Sequence, residues 1–211
     1  MNILVYPDPI LKQVSRPITD AELASGSADG IILSKLIDDM SIILEHRGIG
    51  LAAIQVGIPF RIFLVKLPNA SSLIFINPEL SNFGKPIGIP EGCLSFPGVD
   101  MTIRRPETVH VVAKNLQGTT FELDAEAMKA RIILHEYDHL DGRALITRGN
   151  VTLNRRNIRA LEHLENSYAM QMQRMAIRAK RAEAEANHPN AGSVTFPVTP
   201  EPVYGKSGVT G

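Results

Sequence analysis

The chain has 211 residues, 44% apolar and 21% charged, and its 22 basic and 22 acidic side chains cancel to zero net charge. That length suffices for one domain with its own core, and the charge balance excludes a global pull towards nucleic acid or an anionic membrane, so neither specific DNA binding nor membrane attachment is expected. A single cysteine, Cys93, excludes an intrachain disulfide and makes a reducing cytoplasm the expected setting.

The first residues, Met1 to Pro9, show no basic n-region and no apolar run of signal length. The most apolar stretch, Ile31 to Leu44, is interrupted by Lys35, Asp38 and Asp39, so no membrane span is expected. Pro7, Pro9 and Pro17 keep the opening segment extended or turned. Asp29 is the expected cap of a helix running to His46, with Ile32, Leu33, Leu36, Ile37, Met40, Ile43 and Leu44 at helical spacing. Arg47 in its last turn and Gly48 after it form the stop. Arg61 to Leu67 and Leu73 to Ile76 read as strands. The stretch Gly84 to Gly98, rich in glycine and proline, reads as irregular. Thr108 to Lys114 and Thr119 to Leu123 flank Asn115 to Gly118 as a hairpin. Asp124 is the expected cap of a second helix reaching Leu140, ended by Gly142. A third, long helix starts near Thr152 and continues past Arg181. Its apolar positions thin after Met175, so its far end is expected to project into solvent. The tail from His188 to Gly211, with Pro189, Pro197, Pro200 and Pro202, is expected to be disordered. No internal repeat is visible.

On the second helix stands His135-Glu136-Tyr137-Asp138-His139, an H-E-x-x-H pattern. Residues four apart share one helix face, so both imidazoles can grip one metal ion, and Glu136 can serve water beside that ion as a general base. Such sites need a third protein ligand. The extended pattern with a third histidine fails, because the required position is Leu145. A C-terminal carboxylate, Glu162 or Glu165, is one candidate. The other is Cys93 in Glu91-Gly92-Cys93-Leu94-Ser95, where a thiolate beside a metal binds strongly. Gly48-Ile49-Gly50-Leu51-Ala52-Ala53-Ile54-Gln55 matches a dinucleotide-binding pattern on paper, but a helix precedes it and Pro59 follows closely, so the strand–turn–helix context is wrong. Its small residues instead suggest backbone packed close to a substrate, with Gln55 free to donate an N–H to a developing oxyanion.

Taken together, Gly48 to Gln55, Glu91 to Ser95 and His135 to Gly142 resemble, in order and approximate spacing, the three motifs of bacterial peptide deformylases. The opening Tyr6-Pro7-Asp8-Pro9-Ile10-Leu11 resembles the family's N-terminal segment, and the likeness covers roughly residues 1–165. The resemblance implies a compact α+β fold with the metal helix packed among antiparallel strands, to which the sequence pattern adds a long C-terminal helix. It implies a deformylase-like catalytic domain over 1–165, and periodicity and composition add a helical extension over 166–187 and a tail over 188–211. It implies a hydrolase that removes the formyl group from the N-terminal methionine of new polypeptides and releases formate. The implied ligands are Cys93, His135 and His139, holding one divalent ion, Fe(II) with zinc or nickel as alternatives. Glu136 would be the acid/base, with Gln55 and the Leu94 N–H as oxyanion donors. Two departures stand out. Leu134 replaces the family's usual glutamine before the first histidine, and Phe96 to Asp100 carries no counterpart of an arginine that some members use to hold the peptide.

Gly50, Ile49 and Glu91 are expected to border the substrate, with Ile132 and Met128 as candidates for the methionine pocket. Asp138 is expected to pair with Arg104 or Arg105. The last helix carries Arg155, Arg156, Arg159, Arg174, Arg178, Lys180 and Arg181, a basic set that fits ribosomal RNA as well as a solvated face offset by Glu162, Glu165, Glu183 and Glu185. Two rival readings remain: a zinc endopeptidase with a carboxylate third ligand, and a metal-stabilised binding module without catalysis.

Overall fold

In the computed structural model, which describes residues 1–24, 26–67, 71–148 and 153–187, the chain runs through α1 (Asp20–Leu23), α2 (Ala28–His46), β1 (Gly50–Ala52), a 3-10 turn (Ala53–Val56), β2 (Ile62–Val65), β3 (Leu73–Ser81), β4 (Pro86–Gly92), β5 (Asp100–Pro106), β6 (Thr108–Lys114), β7 (Thr120–Glu126), α3 (Ala127–Leu140) and α4 (Arg155–Asn187). The architecture is α+β, with antiparallel sheets and a long C-terminal helix. Contacts divide the chain into two units, Met1–Ala169 and Met170–Gly211. In the second, Met170, Met175 and Ile177 are exposed along the helix. The expected helix start at Thr152 and the tail after Asn187 lie outside the described residues.

Side-chain alternation fixes the layers of the first unit. The main sheet has the order β1-β2-β3-β6-β7. In β2, Phe63 and Val65 join the core beneath α3, with Phe75, Val109, Val111, Ile133 and Leu140. Ile62 and Leu64 point the other way, into a second core with Leu36, Ile37, Met40 and Leu44 of α2. Each strand residue alternates faces, so the unbroken apolar run of β2 reflects a strand covered on both sides. β4 and β5 form a separate two-stranded sheet. Met101 and Ile103 of β5 pack with Phe96, Val99, Leu145 and Leu161 in a third core.

Three local expectations are corrected. Ser27, not Asp29, caps α2, its Oγ accepting from the Gly30 N–H at 2.9 Å, and Arg47 is the residue after the helix rather than part of its last turn. Asp124 does not cap α3. The β6–β7 ladder continues to the Thr108–Glu126 pair, so Asp124 stays in the strand, accepting from His110 Nδ1 at 2.7 Å, and the helix begins only at Ala127. Much of the stretch from Gly84 to Gly98 is ordered as β4, paired in register with β5 from Pro86–Pro106 to Gly92–Asp100. A two-stranded ribbon has only edge strands, which is where prolines such as Pro86 and Pro90 are tolerated. Gly142 does end α3: its φ is +66°, and a Cβ there would stand 2.4 Å from the Lys12 carbonyl oxygen.

Candidate metal centre

α3 lies between the main sheet and the β4–β5 ribbon, and three segments meet along it. The helix supplies His135 and His139, one turn apart, with ring centroids 5.2 Å from each other. The turn after β4 supplies Cys93, shaped by the Phe96 N–H donating to the Cys93 carbonyl at 2.9 Å. The 3-10 turn after β1 supplies Gln55. One ligand atom from each of Cys93, His135 and His139 lies within 4.8 Å of the others, the only such group of three among the described residues. The Cys93 Sγ is 3.3 Å from His139 Nε2. Neither carboxylate alternative joins them: Glu165 accepts a hydrogen bond from the Tyr6 hydroxyl at 2.7 Å, and Glu162 is exposed.

The donor set fits a divalent cation. Glu91 Oε2 accepts from His135 Nδ1 at 2.9 Å, which fixes the tautomer and leaves Nε2 as a lone-pair donor. Burial opposes a charged His135, but the Cys93 sulfur and the carboxylates of Glu91 and Glu136 outweigh it and lift its pKa to about 10, so a proton and a metal cation compete for the Nε2 lone pair in surroundings that favour positive charge. His139 is driven the opposite way by burial and by the neighbouring His135 and Arg105, and stays a neutral imidazole. Buried Glu136 Oε2 has no hydrogen-bond partner among the described residues, nor has His139 Nδ1. Burial pushes the Glu136 carboxyl up to about 7, against the pull of His135 and Arg105. Room for that carboxylate depends on Gly50, where a Cβ would stand 2.3 Å from Glu136 Oε1.

Gln55 is held by its own loop. Its Oε1 accepts from the Ala52 N–H at 2.8 Å, which turns Nε2 outward to Ser95 Oγ at 3.2 Å and Cys93 Sγ at 3.6 Å. The site opens into a cleft of about 470 Å³, lined among others by Ile49, Gly50, Gln55, Cys93, Leu94 and Ile132. That volume suits a small ligand or a peptide end. Ile132 is buried and Met128 is 55% exposed, and both line the cleft. Glu91 lines it too, but its carboxylate is engaged below by Arg105 Nε at 2.7 Å, by Arg131 and by His135. Asp138 pairs with Arg105, at 2.6 Å, and not with Arg104, whose guanidinium donates to the Pro86 carbonyl. Leu134 is buried in the core under α3, where its carbonyl accepts from Arg105 at 3.0 Å.

Arg131 and Arg148 escaped sequence reasoning. Arg131 donates to Glu91 and to the carbonyls of Ile87 and Ile103, tying both ribbon strands to α3. Arg148 clamps Asp138 from the other side, its Nε at 2.8 Å. The available signal for Arg131 was its place one turn before His135 on the helix face that also carries Asp138.

Residues 1–155 match the family described as Polypeptide deformylase. The peptide deformylase of Clostridium botulinum is 40% identical over 148 residues, covering 70% of this chain and 95% of that one. That of Bartonella tribocorum is 37% identical over 153 residues, covering 69% of this chain and 82% of the relative. The crystal structure of a peptide deformylase from Legionella pneumophila superimposes with a TM-score of 0.68 at 28% identity, covering 81% of this chain and 96% of that one. The match spans all three segments that converge on the cysteine and the two histidines, and the chain belongs to the polypeptide deformylase family.

Proposed function

We propose that this cleft removes the formyl group from N-formylmethionyl peptides, with Cys93, His135 and His139 holding one Fe(II) ion and Glu136 moving the protons. The observation that carries this reading is the convergence of that Cys-His-His group with Glu136 and Gln55 on one cleft. A divalent ion held there supplies Lewis acidity, polarising a carbonyl and making water acidic enough to attack near neutral pH. Glu136 accepts a proton from the attacking water as the new C–O bond forms at the formyl carbon. Gln55 Nε2 and the Leu94 N–H donate to the formyl oxygen as it gains charge. Glu136 then delivers its proton to the leaving amine nitrogen, the C–N bond breaks, and formate and a free N-terminus remain. Glu91 keeps His135 oriented, and Asp138 with Arg105 steadies the next turn of the helix.

The methionine side chain is assigned to the apolar wall that includes Ile132 and Met128. β1 is an edge strand of its sheet, so its outer side can pair with an extended peptide past Ile49 and Gly50. The substrates would be nascent chains in the cytoplasm. The arginines and lysine of α4 supply a basic surface for ribosomal RNA. No helix among the described residues is long and apolar enough to cross a membrane.

The test is formate release from a formyl-Met peptide by Fe(II)-loaded protein, beside Glu136→Ala and Cys93→Ser. Glu136→Ala keeps its metal and loses about 10²–10⁴-fold in kcat, while Cys93→Ser loses metal. Turnover retained by a metal-replete Glu136→Ala overturns the acid/base assignment, and metal retained at unchanged affinity by Cys93→Ser removes Cys93 from the ligand set. Ribosome pelleting that is unaffected when Arg174, Arg178, Lys180 and Arg181 are neutralised removes the α4 contact.

A further inference from the structure

The charged side chains lining the cleft differ in how they are held. Glu91, Arg131 and Glu136 are buried, and His135 is tied to Glu91. Asp100 is the one exposed ionised side chain on the cleft wall among the described residues. It stands opposite Gly92 at the closing pair of the β4–β5 ribbon, one residue before Cys93. Its Oδ1 is 3.2 Å from where a Cβ on Gly92 would be, so the carboxylate hangs over the glycine that precedes Cys93. The main chain beneath is fixed by α4: Asn157 Nδ2 donates to the Asp100 carbonyl at 2.8 Å, and the Asp100 N–H donates to Asn157 Oδ1 at 3.4 Å. The carboxylate is therefore carried on a rigid support but is free at its tip. Its one charged partner among the described residues is Arg156, at 3.6 Å, in a pair whose side chains are 59% and 75% exposed.

We propose that Asp100 is a specificity-determining residue that favours a basic side chain downstream of the formyl-methionine and disfavours an acidic one, with Arg156 damping that preference. This rests on the deformylase reading. A formyl group seated against Cys93 and Glu136 leaves the following residues to leave the cleft past its rim. There a carboxylate only loosely paired with Arg156 attracts Lys or Arg and repels Asp or Glu. Arg156 competes for the same oxygens but holds them loosely, as exposed pairs do. Because the charge acts on the bound peptide and not on the reacting carbon, it changes KM more than kcat.

The experiment compares amidated formyl-Met-Ala-Lys, formyl-Met-Ala-Ala and formyl-Met-Ala-Glu, with the charged residue also moved to the second position, on metal-loaded full-length protein. At low salt the Lys peptide is favoured over the Glu peptide by about five-fold in kcat/KM, the size expected of an exposed charge pair. The ratio shrinks towards one near 1 M salt, where screening reaches about 3 Å. Asp100→Asn collapses the ratio at low salt, while Arg156→Gln widens it. The same order appears without turnover in calorimetric Kd values of the corresponding deformylated peptides. A ratio near one in the unaltered protein, or a preference that survives Asp100→Asn, overturns the proposal. Failure to deformylate even the neutral peptide overturns the deformylase reading itself, and this assignment with it.

Discussion

Glu91 and Glu22 both have carboxyls held down to about 2, yet they sit in opposite surroundings. Glu91 is enclosed. Burial raises its pKa, and hydrogen bonds from His135 and Arg105, with their charges, overcome that penalty. Glu22 lies at the surface, where Arg16 grips it with donors at 2.6 and 3.1 Å and the Thr19 N–H adds a third bond at 2.8 Å. Equal acidity hides unequal consequence. Around Glu22, water and salt replace whatever is lost, so the pair contributes little. Around Glu91 nothing can replace a missing partner, because the same guanidinium also serves Asp138 and the Leu134 carbonyl. The enclosed network therefore gives orientation more than net stability. It ties the ribbon that ends at Cys93 to the helix that carries His135 and His139.

The widest gap between the two regions should come from Arg105→Met. It leaves Glu91 and Asp138 short of a shared counter-charge and is expected to cost about 3–5 kcal/mol of stability, read from urea midpoints at constant m-value. A loss under about 1 kcal/mol, the range of an exposed pair, would erase the contrast. Next comes Glu91→Gln, which preserves shape but removes the charge that fixes His135. Metal affinity should fall about 10–100-fold in a chelator competition, with the fold intact by circular dichroism. Unchanged affinity would reduce Glu91 to a structural carboxylate. Arg148→Ala should cost less, about 1–2 kcal/mol, because Asp138 keeps its bond to Arg105. A loss as large as that of Arg105→Met would show that the order of importance within the network is wrong.

The metal helix was readable in the sequence because its signal is local: two histidines four apart need only a helix to converge. Cys93 and Gln55 were readable as candidates from their residue types, but the choice of Cys93 over a carboxylate came only with the resemblance, since closeness to α3 depends on strands far away in the chain. The ribbon was hidden by β4, where Pro86, Gly88 and Pro90 mask any alternation. β5 alternates cleanly, with Met101, Ile103 and Arg105 buried, and that pattern alone decides that Arg105 rather than Arg104 turns inward to Asp138. The cap of α2 was misplaced because Ser27 and Asp29 are both good caps two residues apart, and only the bond to the Gly30 N–H separates them. The Glu91–Arg131–Arg105 cluster has no short-range spacing, so it could not be seen before the fold brought it together.

The smallest effect belongs to Glu22, and its pH dependence gives the finest measure of the difference. Its folded pKa of about 2 lies below the unfolded glutamate value of about 4.3. The stabilisation is therefore fully present above the unfolded value and fades as the pH falls from about 4.3 through about 2. Glu22→Gln leaves the Thr19 capping box usable, since glutamine serves at that position as well as glutamate, so the comparison isolates charge. The urea midpoint of the unaltered protein should exceed that of the variant at pH 7, the two should converge as the pH drops through that window, and 0.5 M salt at pH 7 should bring them most of the way together. Arg105→Met measured at the same two salt concentrations should show no such relief, because its partners are shut away from the ions that do the screening. If salt rescues both variants equally, the enclosed network is wet enough to behave as a surface, and the distinction between the two glutamates fails.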